Sequence, residues 1–186
     1  MGAWPAVLEE LMRTRRAALV GYASLLTGDV ASAEDVVQDA IIKAFSRGRA
    51  FTHVNKADAY VRLAIMSVFI DRVRRDERFR AAAPRLAVLG QAETSQPSGD
   101  LDRALADLSG QLRAAIVLRY VDDLTVPQVA DRMGLAPGTV KRYLHEAQAQ
   151  LAATYGAKFM LPDPDDEPAI PVTGHIKPAH SKGGQS

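Results

Sequence analysis

The chain has 186 residues and carries 23 Lys+Arg against 22 Asp+Glu, a formal net charge of +1. That length holds one domain or two small ones, and near-neutrality neither supports nor excludes a nucleic-acid partner. There is no cysteine, which removes disulfides and thiolate metal sites and fits a reducing compartment. No apolar run is long enough to span a bilayer, and the stretch from Met1 to Glu10 lacks the basic-then-apolar order of a signal peptide. A cytoplasmic protein without membrane insertion is expected. Aromatic residues make up only 6% of the chain, with Ala, Leu, Val and Arg dominant, which favours helices.

The first predicted helix runs from about Pro5 to Leu26, with an apolar stripe of Leu8, Leu11, Met12, Leu19, Tyr22, Leu25 and Leu26. Gly28 suits a left-handed cap. Ser32 is the expected N-cap of a second helix, Ala33 to Ser46, whose buried face is Val36, Val37, Ala40, Ile41, Ala44 and Phe45. Glu34, Asp35, Gln38 and Asp39 fall off that face. Local physics favours ordinary exposed carboxylates that suit the helix dipole; the alternative is a docking face for a basic partner. Arg47 to Lys56 reads as a loop carrying Arg49, Phe51, Thr52, His53 and Asn55. A third helix follows, from about Lys56 or Asp58 to Arg80, with Val61, Ala64, Ile65, Val68, Phe69 and Val73 apolar. Arg62, Arg72, Arg74, Arg75, Arg78 and Arg80 crowd its polar side. They serve equally well as a solvated helix end or as phosphate-neutralising groups.

Ala81 to Gly99 is rich in Pro, Gly and Ser and reads as a flexible linker, with a helical turn near Leu86 to Leu89 as an option. Beyond it, Leu101, Leu105 and Leu108 open a second helical domain, and Leu112, Ala115, Ile116, Leu118 and Val121 form an amphipathic helix ended by Asp122-Asp123. Leu124 to Leu144 reads as a helix-turn-helix. Thr125 caps its first helix, with Gln128 closing a capping box. Pro127 sits where a missing N–H costs little, and Gly134 lies at the turn. Val140 and Leu144 give the second helix a buried stripe, leaving Thr139, Lys141, Arg142 and His145 to face a partner. Such a helix suits the major groove of DNA, against the alternative of a plain helical hairpin with a solvated basic face. Gly156 to Ser186, with five prolines and the acids Asp163, Asp165, Asp166 and Glu167, reads as a disordered tail. Its acidic segment and Phe159-Met160-Leu161 are candidates to restrain the basic surfaces. The expected architecture is all-α. Its parts are an N-terminal helical domain over 1–80, a linker over 81–100, a helix-turn-helix domain over 101–155 and a disordered tail over 156–186.

Four fragments, in order across the linker, resemble bacterial sigma factors of the extracytoplasmic-function (ECF) group. Ala33-Glu-Asp-Val-Val-Gln-Asp-Ala40 is similar to the family's AED-x-x-Q-[DE] helix. Ala59-Tyr-Val-Arg62 through Ile70-Asp-Arg-Val-Arg-Arg75 is similar to its W-L-x-R…[IL]-D-x-[LV]-R-R helix. Leu105 to Leu124 looks like the start of its C-terminal domain, and Gly138-Thr-Val-Lys141 like its recognition helix. The resemblance implies a promoter-specificity subunit whose partners are core RNA polymerase (clamp coiled coil and flap), promoter DNA and, as a further candidate, an anti-sigma factor. It turns Glu34, Asp35, Gln38 and Asp39 into the implied polymerase contact. It assigns Arg49, Phe51, Thr52, His53, Asn55, Tyr60, Arg62, Arg72, Arg74 and Arg75 to the minus-10 element, where a base is extruded from the stack to be read. Arg113, Arg119, Thr139, Lys141, Arg142 and His145 fall to the minus-35 duplex.

The chain departs from the family pattern in places. Met66-Ser67 stands where many members have Arg-Asn, Tyr60 replaces a Trp, and Ser109-Gly110 replaces a proline pair. Two other functions compete: a sigma-like decoy that binds an anti-sigma factor, and a stand-alone helix-turn-helix regulator. No His/Cys ligand set, Walker loop or nucleophile motif occurs, so neither a cofactor, a metal nor an enzymatic activity is expected.

Overall fold

The computed structural model describes residues 4–46, 51–82, 100–156 and 161–162, and these residues form helices and turns only. The elements are α1 (Trp4–Thr27), α2 (Val30–Phe45), α3 (Val54–Ala82), α4 (Asp100–Ala106), α5 (Gly110–Ile116), α6 (Val126–Met133) and α7 (Pro137–Tyr155). A short π-helical turn, Val117–Val121, extends α5. Arg49 and residues 83–99 of the linker expected over 81–100 lie outside the described residues, whereas 81–82 end α3 and Asp100 opens α4. Residues 157–160 and 163–186 of the expected tail also lie outside them.

The chain reverses direction between α1 and α2 at Gly28, whose φ of +85° is left-handed and easy only for glycine. Asp29 then takes an extended conformation and its side chain accepts the N–H of Ser32 at 2.8 Å. Asp29, not Ser32, is therefore the N-cap, and α2 starts three residues earlier than the sequence pattern suggests. Once Gly28 has turned the chain, the first side chain able to reach back to an orphan N–H is the one directly after it. The apolar faces of α1, α2 and α3 pack on one another around Leu11, Leu19, Leu26, Val36, Val61 and Ile65, all fully buried.

The C-terminal unit is built on α5 and α7, which pack together, with α6 against α7. The capping box at α6 is complete: Thr125 N–H donates to Gln128 Oε1 at 2.8 Å, and the Gln128 N–H is directed at Thr125 Oγ1. Gly134 closes α6 with φ +60°, and the Leu135 N–H returns to the Ala130 carbonyl at 2.9 Å, the bond pattern of a Schellman stop. Val140, Leu144, Ala147 and Leu151 form the buried stripe of α7. The π-helical turn places one extra residue before the chain leaves the helix. Asp122 then donates its N–H to Val117 O, and Asp123 takes φ +53°, a conformation aspartate tolerates better than most residues.

The two helical units are packed against each other rather than held apart. α4 and α5 lie on α1, and α5 also meets α3, so the buried side chains of both units form one continuous cluster. Leu161 is half-buried against the same cluster, and the Pro162 carbonyl accepts from Tyr120 and Gln148 at 2.8 Å each.

Two stability outcomes follow from this framework. Gly28→Ala forces a left-handed alanine whose Cβ meets Ala106 Cβ and an Arg113 nitrogen at 3.2 Å, so urea unfolding should show a loss of about 1–3 kcal/mol. An unchanged midpoint would mean the junction is not held as described. Thr125→Ala should cost about 1 kcal/mol and speed hydrogen exchange at the first turn of α6. Equal exchange in the two proteins would count against the cap.

Candidate functional site

The α2 face carries Glu34, Asp35, Gln38 and Asp39, all exposed. Glu34 pairs with Arg16 of α1 at 2.7 Å, and Asp39 with Arg72 of α3 at 2.6 Å. Exposed pairs of this kind contribute little to stability; their effect here is to hold the carboxylates in place. Beside this face runs an open groove of about 460 Å³ between α1 and α2. Leu8, Met12, Val20, Val37, Ile41 and Ile42 line it, with Glu34, Asp35 and Gln38 on its rim. Ile42 is 57% exposed. Leu8, Met12 and Ile41 read from sequence as core, because an apolar stripe does not show which part of it stays uncovered. The signal that could have separated them is the width of the apolar arc, which exceeds what one neighbouring helix can bury.

The loop before α3 divides into structural and exposed residues. Phe51 is buried, its ring 5.1 Å from Phe45 and 5.5 Å from Tyr60. The expectation that Phe51 meets a nucleic acid base is corrected: as folded, its ring fills the α2–α3 corner, because an exposed aromatic there would leave Phe45 and Tyr60 uncovered. Tyr60 is half-buried in the same stack. The His53 carbonyl accepts the N–H groups of Lys56 and Ala57 and starts α3. Thr52, His53 and Asn55 are exposed, and Asn55 Oδ1 accepts from Arg15 at 3.3 Å.

Along α3 the arginines have different surroundings. Arg62 is tied to Asp58 at 3.3 Å and lies over the Tyr22 ring at 5.2 Å. Arg72 holds Asp39. Arg74, although exposed, donates to the Met133 carbonyl at the end of α6. Arg75 is exposed.

On α7, Lys141, Arg142 and His145 are exposed and Thr139 is half-buried, on the side away from Val140 and Leu144. The Arg142 guanidinium lies over the Tyr143 ring at 5.1 Å. The structure brings these four residues together on one face.

Arg113 and Arg119, expected beside them, are not on that face. They are 8% and 5% exposed. Arg113 donates to the carbonyls of Leu26, Ala106 and Leu108 at 2.7, 2.8 and 3.0 Å. Arg119 donates to the Leu124 carbonyl at 3.2 Å. The correction has a physical cause: a turn-rich junction leaves carbonyls without helix partners, and a buried guanidinium has the donors to satisfy several at once. Burial lowers the Arg113 pKa, opposed by the carboxylates of Asp107 and Asp29.

A second buried polar pair joins the units. The Tyr22 hydroxyl of α1 donates to Asp122 Oδ2 at 2.7 Å. Burial pushes the Tyr22 hydroxyl well up, reinforced by the Asp122 charge. Burial also raises Asp122, while the Tyr22 hydrogen bond, Arg62 and Arg132 pull it down. One hundred residues separate the partners, so no spacing rule could have found them. Among the described residues, no cluster of three or more His, Asp or Glu could hold a metal ion. Likewise, no helix among the described residues is long and apolar enough to cross a membrane.

The chain matches the family description "Sigma-70 region 2" over residues 11–79 and "Sigma-70, region 4" over residues 98–151. It is 35% identical over 158 residues to the ECF RNA polymerase sigma factor SigL of Mycobacterium tuberculosis, spanning 80% of this chain and 89% of that protein. It is 30% identical over 146 residues to the RNA polymerase sigma-E factor of Streptomyces avermitilis, spanning 77% and 82%. In fold it is similar to the sigma factor RpoE of Bartonella quintana, solved with the anti-sigma factor NepR. That match has a TM-score of 0.52 and 24% identity and covers 78% of this chain and 94% of the other. With both sigma regions in order on a helical frame that presents a capped helix-turn-helix, the chain belongs to the ECF family of RNA polymerase sigma factors.

Proposed function

We propose that this sigma factor docks on core RNA polymerase through the α2 face and carries α3 and α7 to the two promoter elements. Glu34, Asp35, Gln38 and Asp39 form the polar part of the docking face, and the α1–α2 groove beside them receives apolar side chains of the clamp coiled coil. Charge complementarity there sets orientation and encounter rate, while the apolar groove supplies the burial that holds the complex. Thr52, His53 and Asn55, with Arg62, Arg72, Arg74 and Arg75, face the minus-10 region. Arginine neutralises phosphates on the opened strand, and the loop groups meet an unstacked base. Thr139, Lys141, Arg142 and His145 enter the major groove of the minus-35 duplex. The C-terminal unit also meets the flap.

The observation that carries this reading is the face of α7, where four polar groups lie together opposite a fully buried stripe, on a helix that directly follows α6 with its complete capping box and left-handed glycine stop. The protein acts in the cytoplasm as a specificity subunit and supplies no catalytic group. An anti-sigma factor would be a competing partner for the same surfaces.

The test selects duplexes from a randomised pool with core polymerase plus the purified protein. Two enriched sequence blocks at a constant spacing are expected. Enrichment without core would favour a stand-alone regulator, and neither core binding nor enrichment would favour a decoy.

Two outcomes are specific to residues. Asp35→Lys with Gln38→Ala should weaken co-elution with core by about tenfold or more, since a like charge across an interface is costly; retained co-elution would move the docking face elsewhere. Lys141→Ala should lower affinity for the selected duplex and, if Lys141 contacts a phosphate, reduce the salt slope by about 1. A changed upstream block with an unchanged salt slope would instead place Lys141 on a base edge.

A further inference from the structure

The exposed face of α7 carries one group that neither the fold nor the DNA backbone accounts for. Val140, Leu144, Ala147 and Leu151 define the buried stripe. At about 100° per residue, Arg142 points about 170° from the centre of that stripe. Glu146 and His145 point about 130° from it, one on each side, and Lys141 about 90°, by the same helical geometry. Arg142 is thus the crest of the face, and Glu146 lies beside it one turn on. Both are exposed.

Glu146 is the only acid in α7, and it stands at the middle of the 19 residues, where the helix dipole does not act on it. Among the described residues it forms no ion pair, although Arg142 is four positions away, a spacing at which such pairs close. The Arg142 guanidinium lies over the Tyr143 ring at 5.1 Å instead. Glu146 Oε1 accepts a long bond from Gln150 at 3.4 Å. The fold therefore makes no use of this carboxylate.

On a helix in the major groove, an acid at this place is repelled by the phosphates of both walls. A hydrogen bond to a base offsets that cost. An ionised carboxylate has acceptors and no donors, and the floor of the groove offers donors only at the amino groups of cytosine and adenine. Cytosine suits it better, because the adenine amino group stands beside the N7 acceptor, which repels the second carboxylate oxygen. Arg142 has the opposite character: its donors lie in one plane and match O6 and N7 of guanine. Tyr143 is half-buried and packed on the core, so its ring is a fixed platform. A guanidinium stacked on it keeps its plane before DNA arrives.

We propose that Arg142 and Glu146 together set the upstream promoter sequence: Arg142 reads a guanine, and Glu146 reads the cytosine of a neighbouring G·C pair. Tyr143 is the positioning residue for Arg142. This rests on α7 entering the minus-35 duplex, as proposed above. The two side chains start about 6 Å apart along the helix, and base pairs rise by about 3.4 Å, so their bases lie within about two pairs of each other. Lys141, at the edge of the face, meets the wall of the groove. Glu146 weakens binding to wrong sequences more than it strengthens binding to the right one, which is how a repulsive group produces selectivity.

Because the fold does not depend on the Glu146 carboxylate, its replacement leaves the protein folded, and the readout is which sequence is selected. Selection from the randomised pool with core polymerase, repeated with Glu146→Arg, should move the preference at one position of the upstream block from cytosine to guanine by about tenfold or more. The downstream block should stay unchanged. Glu146→Ala should erase the preference at that position and raise affinity for duplexes that lack the cytosine. Tyr143→Leu should relax the guanine position by about two- to fivefold, and Tyr143→Phe should restore it. A Glu146→Arg protein that selects the wild-type block overturns the inference and leaves the proposed function standing. A wild-type upstream block without a cytosine near a guanine does the same. Wild-type protein that enriches no upstream block with core sinks the proposed function, and the inference with it.

Discussion

The arrangement of the two helical units turns on one buried cation. Arg113 sits where α1 ends, where α4 ends and where the turn into α5 begins, and its guanidinium bonds one carbonyl from each place. The Leu26 and Ala106 carbonyls are orphan groups at helix C-termini, which carry the negative end of the helix dipole, and the Leu108 carbonyl lies in the turn between α4 and α5. A buried charge without partners is costly; one that satisfies three buried acceptors offsets much of that cost and fixes the angle between the elements. Gly28 belongs to the same device. Its left-handed φ turns α1 into α2, and its missing Cβ leaves room for the Arg113 nitrogen and Ala106.

From that junction the remaining features follow in order. Packing α4 and α5 on α1 brings the π-helical turn close to Tyr22, and the extra residue of that turn sets Asp122 against the tyrosine hydroxyl. It also swings α6 toward α3, so that Arg74 meets the Met133 carbonyl. Only one of the three Arg113 bonds crosses between the units; the bonds to Ala106 and Leu108 stay within the C-terminal unit.

The near-zero net charge conceals a division of labour. Acids gather on α2 and arginines on α3, and Arg72–Asp39 and Lys43–Asp71 stitch the two helices together. The same side chains thus position the fold and form the surfaces proposed for partners. Such double use explains why Arg62, Arg72 and Arg74 all have protein partners here although each is a candidate for phosphate: a partner phosphate would replace an existing contact rather than meet an idle group.

Local chemistry was legible in the chain itself. The helical periodicities, the Thr125–Gln128 capping box, the glycine stops at Gly28 and Gly134, and the polar face of α7 each depend on residues within a few positions of one another, where backbone geometry leaves few choices. The motif order across the linker carried the family for the same reason, since it is a pattern along the chain. What the tertiary structure alone decided is which apolar and charged groups face inward. Phe51, Arg113 and Arg119 went into the interior, Leu8, Met12 and Ile42 line an open groove, and Tyr22 found Asp122 across one hundred residues. Burial is a property of the neighbours an element acquires on packing, and no periodicity within one helix specifies which neighbour arrives or which carbonyls it leaves unpaired.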